Sequence, residues 1–162
     1  MKTYYELKTT TDLDHNSCTV VASSLAFDQD YNEILKYYDK QGRKRGRGVL
    51  PTKTKEINLK LAKKFDYKTK YLERKQVREL ANGKTMTVGN CHKYLDYDKN
   101  YIIGIKGHSL AMVQGDVQDY TEGKKNHIIS IMELTPPANK VQTVQSIEEL
   151  LASADVLINL GK

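Results

Sequence analysis

The sequence predicts a single α+β domain in which N-terminal helices pack on a C-terminal antiparallel β-sheet. Apolar residues recur at helical spacing through the first half of the chain, whereas short apolar or alternating runs separated by glycine-containing turns follow Tyr101. With 162 residues, of which 39% are hydrophobic and 28% charged, the chain has the size and composition of one folded globular domain.

The N-terminal segment is predicted to contain a short strand and then a buried helix. The strand is Tyr4 to Thr9, and the polar run 10–16 that follows is rich in residues that form turns and helix caps. From Ser17 the sequence SCTVVASSLAF is small and apolar on nearly all sides, which is typical of a helix through the middle of a domain. Cys18 would then lie in the first turn of that helix.

Three more helices and a basic loop are predicted before the sheet. Apolar spacing indicates an amphipathic helix from Tyr31 to about Lys40. The three glycines of Gly42–Gly48 (GRKRGRG) exclude regular structure, and Pro51 extends this irregular region. Thr54 is predicted to cap the next helix and Thr87 a short fourth one. The segment between these two helices is ambiguous.

The second half is predicted to be an antiparallel meander followed by an appendage. The runs YIIGI, HSLAMV, DVQDY and HIISIMEL are separated by turn residues, which is the pattern of short consecutive strands. The prolines after Thr135 divide a body, residues 1–135, from residues 136–162, where a capping-box pattern predicts a terminal helix.

Positive charge is concentrated in one part of the chain. Lys40 to Arg78 contains 15 basic and 3 acidic residues, a net charge of +12, whereas the remainder carries −6. Such a stretch attracts an acidic partner, with nucleic acid as one candidate, although a solvated lysine-rich surface explains it equally well. Four residues of the basic loop are the candidates for polyanion binding: Arg43, Lys44, Arg45 and Arg47.

The sequence has no feature of an exported or membrane protein. No run approaches the roughly 20 apolar residues that span a bilayer, and the N-terminus lacks the apolar core of a signal peptide. We therefore expect no membrane association and a cytoplasmic location. In a reducing compartment the distant cysteines, Cys18 and Cys91, are not expected to form a structural disulfide.

The predicted position of Cys18 suits a nucleophile. The first turn of a helix favours the thiolate through the helix dipole and its free backbone amides. The same amides can accept the negative oxygen of a tetrahedral intermediate, and Asn16 offers a side-chain donor for that purpose.

His108 and Asp119 are the candidates for the base and for the acid that orients it. His108 follows Gly107 at the start of a predicted strand, where its imidazole would be accessible. The predicted hairpin brings Asp119 alongside, whereas Asp116 is interpreted as a turn residue. Three other histidines are weaker candidates: His15, His92 and His127.

A structural explanation exists for each of these residues taken singly. A free cysteine in an apolar helix is more often core packing than a nucleophile, and a single histidine on a strand is more often structural. Cys91 is interpreted as a core residue on this ground. Neither cysteines nor histidines have metal-ligand spacing, so we expect no metal ion and no cofactor.

The motifs HNSCTVVASSLAF and YIIGIKGHSLAMVQGDVQDY resemble those of small papain-like cysteine-peptidase-like proteins of bacteriophages and bacteria. The resemblance covers residues 10–120 and implies a papain-like fold with Cys18 as nucleophile, His108 as base, Asp119 as orienting acid and Asn16 as oxyanion-hole donor. Asp12 replaces the glutamine that better-known papain relatives have six residues before the cysteine, and Thr19 replaces the usual aromatic residue after it.

Two functions therefore compete at the level of sequence. The first is a cysteine peptidase or amidase that attacks an amide or isopeptide bond of a protein or peptide, preferably an acidic one, in the host cytoplasm if the protein is phage-encoded. The second is a catalytically idle papain-like binding module that docks on a host protein or nucleic acid through its basic face.

Overall fold

A computed structural model describes residues 3–118 and 125–138, and within them the α+β class is confirmed. The helices precede most of the strands, as the sequence predicts. They are α1 (Tyr4–Thr10), α2 (Cys18–Phe27), α3 (Tyr31–Lys40), α4 (Pro51–Lys64) and α5 (Arg74–Leu80), with a 3₁₀ turn at Cys91–Lys93. None of the helices in these ranges is long and apolar enough to cross a membrane.

A five-stranded antiparallel sheet completes the domain. Its strands are β1 (Lys68–Leu72), β2 (Asn100–Ile105), β3 (His108–Val113), β4 (Asp116–Gln118) and β5 (Ser130–Thr135), in the spatial order β1-β5-β2-β3-β4. Only β2, β3 and β4 form a meander. The next strand, β5, returns to the other side of β2, and β1 then pairs with it, so the predicted simple meander is wrong at this point.

Helix α2 lies at the centre of the molecule and is buried along its length. Every residue from Thr19 to Phe27 is buried, because the sheet covers one side of the helix while α3 and α4 cover others. Its weak amphipathicity in the sequence therefore has a structural cause: the helix has no solvent face.

The sheet separates two apolar cores. Alternate residues of each strand point to opposite faces, so that Ile102 and Ala111 pack with α2 while Ile103 and Met112 pack on the other side. Cys91 belongs to this second core and is fully buried, as the sequence analysis predicts.

A buried polar cluster joins α2 to α3 and α4. The side chains of Ser23, Tyr38 and Asn58 are each at most 1% exposed, and the Asn58 Oδ1 accepts hydrogen bonds from the Ser23 Oγ at 2.7 Å and the Tyr38 Oη at 2.9 Å. Burial raises the pKa of Tyr38 far above its ordinary value, so its hydroxyl stays a neutral donor. The cluster thus fixes the register of the three helices.

Several local predictions are wrong. Thr54 does not cap a helix but lies inside α4, whose N-cap is Leu50. Residues 4–10 form helix α1 and not a strand, because Thr3 and Glu6 make a reciprocal capping box that favours a helix. Pro51 does not extend the loop but opens α4 at its first position, where a missing N–H costs nothing. The helix predicted after Thr87 is reduced to the 3₁₀ turn. The predicted C-terminal helix lies outside the described residues.

Removing one hydroxyl of the buried cluster tests its contribution. Tyr38→Phe should lower the free energy of unfolding by about 1 to 3 kcal/mol, because buried polar partners lose a hydrogen bond. Urea unfolding followed by circular dichroism measures this change. Tyr37→Phe is the matched control, since within the described residues its hydroxyl makes no hydrogen bond, and its stability should stay within about 0.5 kcal/mol of wild type. Equal effects of both substitutions would contradict the role assigned to the cluster.

Candidate active site

Cys18 is the first residue of α2, as predicted, and its side chain is partly exposed. The residue before it, Ser17, is the helix N-cap and provides no side-chain hydrogen bond to the free amides of the first turn. These amides remain available to stabilise a negative charge close to the thiol.

His108 and Cys18 border the same two cavities, and the His108 side chain is one of the groups that lower the pKa of the Cys18 thiol. Burial alone would raise the pKa of Cys18, but hydrogen bonds from the His108 side chain and from the Ser109 and Thr19 backbone outweigh it and lower the pKa below the ordinary value. The surroundings of Cys18, including the His108 side chain, therefore favour the thiolate form of the residue.

Cys91 shows the opposite behaviour. Its thiol donates to the Val88 carbonyl oxygen at 3.2 Å, and burial raises its pKa. Only one of the two cysteines of this chain is therefore prepared to act as a nucleophile.

The turn between β2 and β3 positions His108. Ile105 pairs with His108, and two residues separate them. One of these is Gly107, at a φ of +73°, a backbone conformation that residues with a side chain rarely adopt. The tight turn leaves His108 as the first residue of its strand, at the edge where α2 begins.

The structure describes only part of the predicted hairpin that bears the acid. Val113 pairs with Asp116 across Gln114 and Gly115, so the hairpin is present and Asp116 belongs to β4 and not to the turn. Asp119 lies outside the described residues, and its role as the orienting acid stays a prediction.

The side chain of Asn16 makes its described contact with the basic loop. Its Nδ2 donates to the Gly46 carbonyl oxygen at 3.0 Å, and the residue has a φ of +54°. In this structure Asn16 fastens the loop beside the start of α2, and its assignment as an oxyanion-hole donor stays a prediction.

Arg43 has a structural role that the sequence analysis does not foresee. Its side chain is fully buried and forms ion pairs with Asp14 at 2.5 Å and Asp39 at 3.2 Å, while Asp14 also accepts from the Gly46 N–H at 3.1 Å. The hydrogen bonds from Arg43 and Gly46 hold the pKa of Asp14 below its usual value. Arg43 is therefore committed to the fold and is not available to a polyanion.

The other three residues proposed for polyanion binding are on the surface. Lys44, Arg45 and Arg47 are exposed, and Arg45 is 76% exposed even though it pairs with Asp39 at 3.3 Å. Arg43 is buried, unlike these neighbours, because it pairs with two aspartates outside the loop. Asp14 is remote in sequence, and Asp39 lies on the preceding helix, α3.

Two cavities meet at the cysteine. The first, of about 370 Å³, lies between α4 and the sheet and has mostly apolar walls; the second, of about 420 Å³, lies beside residues 13–17. Both are bordered by the same four residues: Cys18, Gly48, Gly107 and His108. An extended ligand that crosses from one cavity to the other would pass over the thiol.

The described residues contain no group of three or more histidine, cysteine or acidic side chains placed to hold a metal ion. Comparisons with protein families, with curated proteins and with solved structures find no match to this chain.

Asp14→Asn tests the ion-paired loop through its pH dependence. Because the pKa of Asp14 is lowered in the folded protein, its carboxylate stabilises the fold at neutral pH, and this contribution is lost as the pH falls below about 4 through the lowered pKa. The variant should be less stable than wild type by about 1 to 3 kcal/mol at pH 7, and the difference should shrink in acid. Asp12→Asn, at an exposed carboxylate of the same segment, should show neither effect in urea unfolding at pH 7 and pH 3.

Proposed function

We propose that this protein is a papain-like cysteine hydrolase, a peptidase or amidase. The observation that carries the proposal is the position of Cys18, at the start of a buried helix, beside His108, at the start of a strand, where both residues border the same two cavities. A helix start and a histidine both favour a thiolate, and an open cleft gives it access to a substrate.

The proposed reaction is acyl transfer in two steps. The Cys18 thiolate attacks the carbonyl carbon of an amide or isopeptide bond, and the backbone amides of the first turn of α2 stabilise the negative oxygen. Protonated His108 gives its proton to the leaving amine as the C–N bond breaks. Water, deprotonated by His108, then attacks the thioester and releases the acid and the thiol. In this scheme Asp119 orients His108.

The proposed substrate is a protein or peptide, and the basic surface favours acidic sequences near the cleaved bond. The motifs shared with small papain-like proteins of phages and bacteria suggest action in the cytoplasm, that of the host if the protein is phage-encoded.

The pH dependence of Cys18 alkylation tests this function. Iodoacetamide should modify Cys18 with an apparent pKa below that of a free thiol, about 8.5. His108→Ala should raise this pKa, because burial of the thiol raises it and the side chain that opposes this effect is then missing. Mass spectrometry of the labelled peptides between pH 5 and pH 9 measures both. Cys91 is the internal reference and should stay unlabelled in the folded protein. A Cys18 that is inert or that titrates as a free thiol would refute the proposal.

A second function is favoured by the exposed charge of the loop. Lys44, Arg45 and Arg47 are exposed in the loop that leads to Gly48 at the edge of both cavities, and lysines of α4 and β1 are exposed as well. Under this alternative the scaffold binds a polyanion and need not turn over a substrate.

Salt dependence distinguishes the alternative. If the loop binds nucleic acid, the triple variant Lys44→Ala, Arg45→Ala, Arg47→Ala should weaken binding of a labelled single-stranded oligonucleotide and reduce the slope of log Kd against log salt by about 2. Fluorescence anisotropy at 50 to 200 mM salt gives the slopes. A control variant removes the same charge elsewhere: Lys8→Ala, Lys36→Ala, Lys125→Ala. If both variants lose the same affinity, the loop is not the binding site.

A further inference from the structure

The basic loop, residues 42–48, forms one edge of the opening between the two cavities. Gly48, its last residue, borders both cavities, as Cys18 and His108 do. The next residue, Val49, lines the first cavity and packs against the core that contains α2. The position of this loop therefore affects the width of the passage across the thiol.

The middle of the loop is bonded to the segment just before the nucleophile. The Gly46 N–H donates to the Asp14 Oδ2 at 3.1 Å, and the Gly46 carbonyl oxygen accepts from the Asn16 Nδ2 at 3.0 Å. Gly46 has a φ of +71° and Asn16 has a φ of +54°, a backbone conformation that glycine adopts readily and asparagine tolerates. Both backbone polar groups of Gly46 are thus occupied, two residues before Gly48.

Arg43 fastens the beginning of the same loop. Its buried guanidinium pairs with Asp14 and Asp39, and the Asp14 Oδ2 accepts from both Arg43 and the Gly46 N–H. Among the described residues that line the two cavities, Asp14 is present, whereas Arg43 and Asp39 are not. An effect of Arg43 on a ligand in the cavities would therefore pass through Asp14 and the loop.

The fold does not require a glycine at position 48. The φ of Gly48 lies outside the left-handed region, and a Cβ added to it would meet no described atom within 4 Å. A side chain at this position would nevertheless stand at the opening that both cavities share. A glycine here leaves room for the main chain of a ligand to come close to the loop.

We propose that Arg43 is a positioning residue for the substrate: together with Asp14 it holds the loop so that an extended peptide lies across Gly48 and over the Cys18 thiol. Without its ion pairs the loop would be held less firmly beside the start of α2, and the passage would lose one defined side. This inference rests on the proposed hydrolase function. It concerns how the peptide binds and not how the thiol reacts.

Two ketone probes separate peptide binding from thiol reactivity. Both are acetylated acyloxymethyl ketones, one on a tetrapeptide of leucine, glutamate, leucine and glycine and the other on glycine alone. With either probe the Cys18 thiolate attacks the methylene carbon, a C–S bond forms, and the carboxylate leaves with the electrons of the broken C–O bond. We expect the tetrapeptide to label Cys18 about tenfold faster than the glycine probe, because binding of the peptide adds to its rate.

Arg43→Met is the test variant. It should lower the ratio of the tetrapeptide rate to the glycine rate about fivefold, because a peptide that is held less well reaches the thiol less often. Iodoacetamide should still modify Cys18 with the wild-type pH profile, since the His108 side chain that lowers the pKa of this thiol is unchanged. Asp39→Asn keeps the shape of its side chain and weakens only one of the ion pairs. It should lower the ratio by a smaller factor, and it tests the inference even if Arg43→Met does not fold.

Two further variants test the path of the peptide and the specificity of the effect. Gly48→Leu should keep the fold and the iodoacetamide profile but lower the same ratio, because its side chain would narrow the opening. Lys60→Met removes an exposed cation that pairs with Glu56 at 2.8 Å on α4, away from the residues that line the cavities, and should keep the wild-type ratio.

The outcomes separate this inference from the proposed function. If the two probes label wild-type Cys18 equally fast, or if Arg43→Met and Asp39→Asn both keep the wild-type ratio, the positioning role is refuted and the hydrolase proposal stands. A folded Arg43→Met with an altered iodoacetamide profile also refutes the positioning role, because Arg43 would then act on the thiol itself. If wild-type Cys18 reacts with neither the ketones nor iodoacetamide, both proposals fall together.

Discussion

The structure depends on the burial of α2 from Thr19 to Phe27 between the sheet and two other helices. A polar side chain in that position has no access to bulk water, and Ser23 forms its hydrogen bonds with Tyr38 and Asn58 instead. The same burial fixes where the helix begins. Cys18 therefore lies beside His108 as a consequence of core packing, and the proposed chemistry is built on the most deeply buried of the described helices.

The loop beside the cysteine is held by charges that face inward. Asp14 and Asp39 compensate the buried charge of Arg43 by accepting from its two terminal nitrogens, while its Nε has no hydrogen-bond partner among the described residues. The Asp14 carboxylate also accepts from the Gly46 N–H, and the Asp14 backbone N–H donates to the Tyr31 hydroxyl, so that the residues before α2 are tied to the loop and to α3. Arg43 thereby fixes the loop beside the start of α2, while the exposed Lys44, Arg45 and Arg47 contribute positive charge to the surface.

Elements with strong local periodicity could be predicted from the sequence, and those set by distant contacts could not. Helices α2 and α3 and the β2–β3 hairpin follow from residue spacing and turn residues. The proximity of Cys18 to His108 is predicted differently, by matching a candidate nucleophile to a candidate base and by the family resemblance, because no local pattern joins residues so far apart in the chain. The capping pair of Thr3 and Glu6 is a local signal for the helix at residues 4–10. Alternation in this short polar segment favoured a strand and obscured that signal. The pairing of β5 with β2 and β1 joins residues far apart in the chain, and no local pattern specifies it.

The lysines of β1 affect how copies of this protein can meet one another. Among the described residues β1 is an edge strand of the sheet, and Lys68 and Lys70 are exposed along it. An edge strand offers unpaired backbone groups to any other chain, yet a second copy approaching in this way would bring its own lysines against these. The positive charge of this segment thus discourages sheet extension between molecules, and it would favour a protein that stays dispersed when crowded with copies of itself.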